Sequence, residues 1–345
     1  MIIDRVLIVG LGSIGQRHLR LARILLPQAD IRVLRHQPCK DLPEFANGCF
    51  SQLNEALAFA PQLAVIASPA SFHLPVANAL ATVGKHLLVE KPLASELTGV
   101  EEFIACCLIK HVVLLTGYNL RFFPSLQKFR TLLHANAIGR VLSVRCEIGQ
   151  YLPTWRPGSD YREGVSANRA LGGGALLELS HELDYLRWIF GEIDWVTAVL
   201  SRQSTLEIDV EDTAHLTLGF CDGEGKSGLI GTVNLDFIRH DTTRLCTAIG
   251  ELGSLRWNGL TGVVELFEAG SSNWRELFQH QPQRDESYLD EWQHLLACIQ
   301  RKAIPLVSGA DGLQVLRVAE AARRASATGT KTQVTPLTTC LHIKT

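Results

Sequence analysis

Two short segments of this 345-residue chain carry residue types that do chemistry. Gly10-Leu11-Gly12-Ser13-Ile14-Gly15 spaces three glycines as GxGxxG directly behind the apolar run Val6-Leu7-Ile8-Val9. Glu90-Lys91-Pro92 sets a carboxylate, an ammonium and a rigid turn behind a second apolar run, His86-Leu87-Leu88-Val89. In the first segment Gly10 permits a tight turn, Gly12 lets backbone approach a pyrophosphate, and Gly15 lets helix and strand pack closely. A helix opening at Ser13 and Ile14 offers free N–H groups and a favourable dipole to phosphates. The alternative is a glycine-rich turn without a ligand; its position at the first βα turn of a repeated pattern argues for a dinucleotide. In an open parallel sheet, ligands bind beyond the carboxyl ends of the strands, where the Glu90-Lys91-Pro92 segment is expected.

The second strand of such a unit should end about 20 residues on, with an acid for the ribose of NAD. The sequence there reads Leu34-Arg35-His36, without an acid. Arg35, assisted by His36, suits the 2′-phosphate of NADP, so NADP is favoured over NAD; the alternative is a pair of solvent-facing charges. Ser68-Pro69 and His73 follow a further strand and suit the nicotinamide ribose, while His73 serves equally well as a capping or packing residue.

These residues require elements to hold them. Arg5–Val9, Ile31–Leu34, Leu63–Ala67, Leu87–Val89 and Val112–Leu115 read as strands. Ser13–Leu26, Asn54–Phe59 and Leu74–Val83 read as helices between them. The repeated βα units predict a doubly wound parallel sheet, an N-terminal α/β domain of residues 1–121. Residues 122–345 read as a second α/β domain. It holds a helix Phe123–His134, strands Val141–Gly149, Ala214–Gly219, Gly228–Leu235, Arg244–Ile249 and Ser254–Trp257, an inserted helix Ala175–Phe190, and late helices Tyr288–Arg301 and Gly312–Ser326. Turn signals such as Asp222-Gly223 predict a mainly antiparallel sheet.

Composition narrows the function classes. There are 33 basic and 35 acidic residues, and the hydrophobic share is 46%. That balance gives no reason to expect nucleic acid or an anionic membrane as partner. No apolar run approaches the ~20 residues of a membrane span. The first residues enter a strand at once, so no signal peptide is expected. The nine cysteines, Cys39 and Cys340 among them, form no CxxC pair. A disulfide framework or zinc site is not expected; buried thiols in a reducing cytoplasm are.

Taken in order, the glycine segment, Ser68-Pro69…His73, Glu90-Lys91-Pro92, Gly117-Tyr118-Asn119…Arg121-Phe122…Pro124, Gly172-Gly173-Gly174…His181…Asp184…Trp188…Gly191, and the late Tyr288…Glu291 and Pro305 resemble the Gfo/Idh/MocA oxidoreductase family. The resemblance covers essentially the whole chain. It implies a Rossmann domain followed by an α/β domain with a large open sheet, often used for homodimer or homotetramer contacts. It also implies NAD(P)-dependent oxidation or reduction of sugars, cyclitols or related compounds. It makes Lys91 an active-site residue, with Glu90 holding it or capping the next segment. The family often shows Asp-x-x-x-His after the triple glycine. Here Glu178 takes the aspartate's place when counted from the glycines, and Leu177 when counted back from His181.

Oxidising a secondary alcohol needs a base for the hydroxyl proton while hydride leaves carbon. A histidine, ordinarily near pKa ~6.5, suits that role at neutral pH. His181 is therefore assigned as acid/base, and Lys91 as the group that orients and polarises the substrate oxygen; the reverse assignment stays open. On the predicted helix, Leu179, Leu183, Leu186 and Phe190 form an apolar stripe, with Glu178, His181, Tyr185 and Trp188 roughly opposite. Tyr185 and Trp188 are expected to pack. Arg121, and the loop residues Trp155, Arg156 and Arg162, would suit an acidic or nucleotide-linked sugar through stacking and forked hydrogen bonds. A structural loop at a subunit contact is the equal alternative. Two other functions remain open: a non-enzymatic dinucleotide-binding regulator, and a glycosidase that recycles a held NAD.

Overall fold

The computed structural model describes residues 2–37, 41–221, 227–281 and 283–336. Cys39, Cys340 and the Asp222-Gly223 turn lie outside them. Among the described residues, 2–118 and 288–316 form one compact unit, and 119–287 with 317–336 a second.

In the first unit β1 (Arg5–Val9) turns into α1 (Ser13–Leu25) and returns as β2 (Asp30–Leu34). Then follow β3 (Gly48–Phe50), α2 (Leu53–Ala58), β4 (Leu63–Ile66), α3 (His73–Thr82), β5 (His86–Glu90), α4 (Val100–Ile109) and β6 (Leu114–Gly117). The six strands lie in the order β3-β2-β1-β4-β5-β6 and are parallel throughout. Val6–Ile8, Leu63–Ile66 and Leu87–Val89 are sealed from solvent on both faces, which is why these strands read as continuous apolar runs rather than alternating ones. Strand order reverses between β1 and β4, and open α/β sheets bind ligands at such a switch point.

The second unit runs α5 (Pro124–His134), β7 (Val141–Gly149), a stretch of short 3-10 turns, α6 (Ala175–Glu178), α7 (His181–Phe190), β8 (Ile193–Ser201), β9 (Thr213–Cys221), β10 (Ser227–Asp236), β11 (Thr243–Gly250), β12 (Gly253–Asn258), β13 (Val263–Glu268) and β14 (Arg275–Gln279). Next come α8 (Glu286–Ile299) and α9 (Gly309–Thr328), whose residues 288–299 and 309–316 belong to the first unit, and β15 (Thr332–Gln333). The nine strands are ordered β14-β13-β12-β11-β7-β10-β9-β8-β15, with only β7 and β10 parallel among neighbours. β9 alternates as a one-sided sheet should: Ala214, Leu216 and Leu218 face the core, His215 and Thr217 face out. Helices cover the inner face. The Tyr185 hydroxyl on α7 lies 3.0 Å from Cys146 Sγ on β7, and the Trp257 indole donates to Ser125 Oγ at 2.9 Å.

The expected α/β class, a doubly wound parallel sheet and then a large, mainly antiparallel one, is what the chain adopts. Three expectations need correction. The single helix Ala175–Phe190 is two, because the backbone at Leu179 leaves helical geometry and Ser180 becomes the N-cap of α7. β3, β8, β13, β14 and α4 had no reading in the sequence. Cys106, Cys107, Cys146, Cys221, Cys246 and Cys298 are free thiols as expected, but Cys49 on β3 is disulfide-bonded.

Candidate functional site

The first unit gathers one set of candidates at the carboxyl ends of its strands. Gly10 closes β1 in the left-handed region (φ 87°), and its N–H donates to the Leu34 carbonyl of β2 at 2.9 Å. A side chain there would stand 2.7 Å from the Ser68 backbone nitrogen, in the loop after β4. Gly15 sits in the first turn of α1, where a Cβ would collide with the Gly10 carbonyl. Only glycine lets this helix start so close to the strand. Gly12, the N-cap, is open on its outer side and no side chain caps α1. The N–H groups at Ser13 and Ile14 therefore stand at an uncapped helix start, where a phosphate is the natural acceptor. Ser68 Oγ is buried with no hydrogen-bond partner. An open turn, an uncapped helix start and an orphaned hydroxyl at one switch point fit a dinucleotide.

Arg35 follows β2 directly and donates its backbone N–H to Phe50 O of β3 at 3.1 Å. Its side chain is half-buried, and that of His36 is exposed. Pro69 begins the 3-10 turn that leads into α3. His73, buried at the start of α3, sets Nε2 2.7 Å from Ser68 O and Nδ1 3.0 Å from Pro92 O. It braces the loop after β4 against the loop after β5. Burial lowers its pKa, while the two carbonyls at its ring nitrogens pull the other way.

Glu90 closes β5 and is itself buried. Its Oε1 lies 2.7 Å from His18 Nε2, and its Oε2 accepts the Lys91 backbone N–H at 3.1 Å. Burial opposes the charge, but the hydrogen bond from His18 and the nearby Lys91 outweigh it and hold the Glu90 pKa below its usual value. Lys91 itself is half-buried, at a cis bond to Pro92. The glycine turn, Ser68, His73, Glu90 and Lys91 thus share one end of the sheet.

The second unit holds the other candidates. His181 is the first residue of α7 and half-buried. Glu178, on α6, accepts from the Ser166 hydroxyl at 2.8 Å. Gly173 leaves room for this meeting of segments, since a Cβ there would run into the Val165 carbonyl. Trp155 donates its indole N–H to Gln150 O at 2.9 Å and packs edge-on to Phe237 at 5.1 Å. Arg156 is exposed. Arg162 is exposed and pairs with Asp160 at 2.6 Å and Glu207 at 3.4 Å, contacts that raise its pKa. Arg121 is 4% exposed and forks onto Asp184 with distances of 2.6 and 2.9 Å. That guanidinium is committed to pinning α7, so its first role here is structural. Tyr185 is fully buried and Trp188 lies under the guanidinium of Arg130, 4.6 Å from its centroid, as packing residues should.

Sequence reading missed His18, Tyr288, Glu291 and Trp292 as a group around Glu90. The available signal was a polar residue on an apolar stripe: Gly15, His18, Leu19 and Ala22 form the buried face of α1, and Glu291 sits in the stripe Trp292, Leu295, Ile299 of α8. Among the described residues no cluster of side chains could hold a metal ion, and no helix is long and apolar enough to cross a membrane.

Comparison with known proteins agrees with this architecture. Residues 5–118 match a family model described as the oxidoreductase family, NAD-binding Rossmann fold, and residues 130–334 match its C-terminal alpha/beta domain. Myo-inositol 2-dehydrogenase of Thermotoga maritima is 27% identical over 337 residues, 93% of this chain and 95% of the relative. Levoglucosan dehydrogenase in complex with NADH superposes with a TM-score of 0.83 at 22% identity, over 96% of this chain and 99% of that one. The WlbA dehydrogenase of Bordetella pertussis, solved with NADH and UDP-GlcNAcA, gives 0.78 at 22% identity, over 97% and 99%.

Proposed function

The chain belongs to the Gfo/Idh/MocA oxidoreductase family, and we propose that it moves a hydride between a nicotinamide cofactor and a hydroxyl or ketone of a sugar, cyclitol or nucleotide-linked sugar. One observation carries the reading: Lys91, a half-buried lysine, stands at the same end of the parallel sheet as the uncapped glycine turn. Nicotinamide, when bound, supplies the acceptor or donor of the hydride. Gly10, Gly12, Gly15 and the N–H groups of Ser13 and Ile14 receive the pyrophosphate, and Ser68 Oγ, beside Pro69, has a free hydroxyl for the ribose. Arg35, with His36 beyond it, meets the 2′-phosphate of NADP, which the missing acid after β2 favours over NAD. Lys91 donates a hydrogen bond to the substrate oxygen and stabilises charge there. His181 takes the hydroxyl proton in oxidation and returns it in reduction. Glu178 holds Ser166 and with it the loop leading to α6. Trp155, Arg156 and Arg162 form the stacking and forked-contact group for an acidic or nucleotide-linked sugar. Retention of both Lys91 and His181 speaks against a purely regulatory protein. The outward face of the nine-stranded sheet, with Val199 and Ile230 exposed, is the surface through which copies would pair.

The test is a turnover screen with NAD and NADP over myo-inositol, levoglucosan, free aldoses and nucleotide-linked sugars. Nicotinamide absorbance changing with at least one of them supports the proposal. Tight cofactor binding with no change for any of them refutes it and favours a regulator.

A further inference from the structure

Behind Lys91 lies a chain of buried groups that the reaction as described does not use. His18, fully buried on α1, sets Nε2 2.7 Å from Glu90 Oε1. Its other nitrogen, Nδ1, stands 2.9 Å from the Trp292 indole nitrogen of α8, which donates to it. An indole nitrogen is a donor only. Nδ1 must therefore carry the lone pair and Nε2 the hydrogen, so His18 is a neutral donor to Glu90. Two structural details bear on Glu90 itself. Its Oε2 takes the Lys91 backbone N–H, and any side chain at Gly117 on β6 would stand 3.0 Å from that oxygen. The surrounding charges come from every neighbouring element. Tyr288 stands edge-on to His18 at 5.9 Å, Arg17 lies over the Tyr288 ring at 4.6 Å, and Lys91, His73 and Glu291 interact electrostatically with Glu90. Glu291 is wholly buried, and neither of its oxygens is hydrogen-bonded.

We infer that His18 and Trp292 are positioning residues for Lys91: the indole fixes the imidazole tautomer, the imidazole holds the Glu90 carboxylate, and the carboxylate clips the backbone that presents the lysine. The inference rests on the reading of Lys91 as the group that meets the substrate oxygen. Each link is one hydrogen bond, and the order matters. If the ring were flipped in tautomer, Nε2 would turn a lone pair toward a carboxylate, and the indole N–H would meet a second donor. Both contacts would become repulsive at buried side chains.

The experiment has two arms. Nitrogen NMR of 15N-histidine-labelled protein, with His18 assigned through His18→Gln, should give a pyrrole-like Nε2 and a pyridine-like Nδ1. In Trp292→Phe the Nδ1 resonance should move as the hydrogen bond it accepts is lost. With the best sugar of the screen, Trp292→Phe and His18→Leu should lower kcat about 10–100-fold, the scale of a small misplacement at a reacting centre, while NADH affinity stays unchanged. His18→Gln, whose amide can both donate to Glu90 and accept from Trp292, should recover most of the loss. A protonated Nδ1 in the wild type overturns the inference. So does a folded Trp292→Phe with wild-type kcat, or a His18→Gln as impaired as His18→Leu. The NMR arm needs no substrate, so it decides the network even if every sugar fails and the proposed activity falls with them.

Discussion

Glu291 offers a stability test with a definite sign and slope. Its side chain is wholly buried and makes no hydrogen bond through either oxygen. Burial first, and the Glu90 charge second, push its pKa well above the usual carboxyl range. In the unfolded chain the same group loses its proton near pH ~4.3. Between that pH and the raised folded value, the native state binds one more proton than the unfolded state. Stability must then fall as pH rises, by about 1.4 kcal/mol per pH unit, until the folded pKa is passed. The contribution is fully present below the unfolded pKa and is lost upward through the window. Glu291→Gln keeps the shape and cannot titrate. Its buried amide brings a cost of its own, but that cost does not depend on pH. The unfolding free energy of Glu291→Gln minus that of the wild type should therefore climb with pH by about 1.4 kcal/mol per unit across the values between the unfolded and the folded pKa. Urea unfolding of both proteins at these pH values measures it. A difference that stays constant with pH would refute the placement of a neutral acid behind Glu90.

Further outcomes follow from other sites. Arg35→Asp should weaken NADP binding by tenfold or more, about 1.4 kcal/mol, and NAD binding much less; titration calorimetry with each cofactor decides, and equal weakening would count against Arg35 as the reader of the 2′-phosphate. Gly15→Ala puts a methyl against the Gly10 carbonyl and should cost about 1–3 kcal/mol as an overpacked position, with loss of NADH protection in thermal melts. Arg121→Met removes the guanidinium from the buried Asp184 carboxylate and should cost about 3–5 kcal/mol, part of which Asp184→Leu in the same protein recovers. An additive double variant would mean that the pair does not hold α7.

What the sequence made legible depended on whether one segment could state its own environment. Val6-Leu7-Ile8-Val9 and the glycines behind it do so, because a strand buried on both faces and a turn without Cβ atoms leave local marks. β3 leaves none, since Gly48–Phe50 is three residues long, half-buried and defined by its pairing with β2. The helix drawn through Ala175–Phe190 had the right periodicity, and its interruption at Leu179-Ser180 has no strong breaker such as proline or glycine to announce it. Arg121 is a substrate candidate in the sequence, and its partner Asp184 is 63 residues away, with no spacing rule to link them. The group around Glu90 joins residues 72 and 274 positions apart. His18 and Glu291 signalled only that a polar side chain had entered an apolar stripe.

Lys91 is the most direct point at which to test the whole account. Lys91→Ala should be compared with wild type in steady-state turnover, following nicotinamide absorbance, and in NADH binding by fluorescence. Removal of a charge-stabilising donor at the reacting oxygen should lower kcat by about 10²–10³-fold and leave the cofactor bound with near wild-type affinity. A Lys91→Ala protein that binds NADH and turns over its sugar at the wild-type rate would contradict the account.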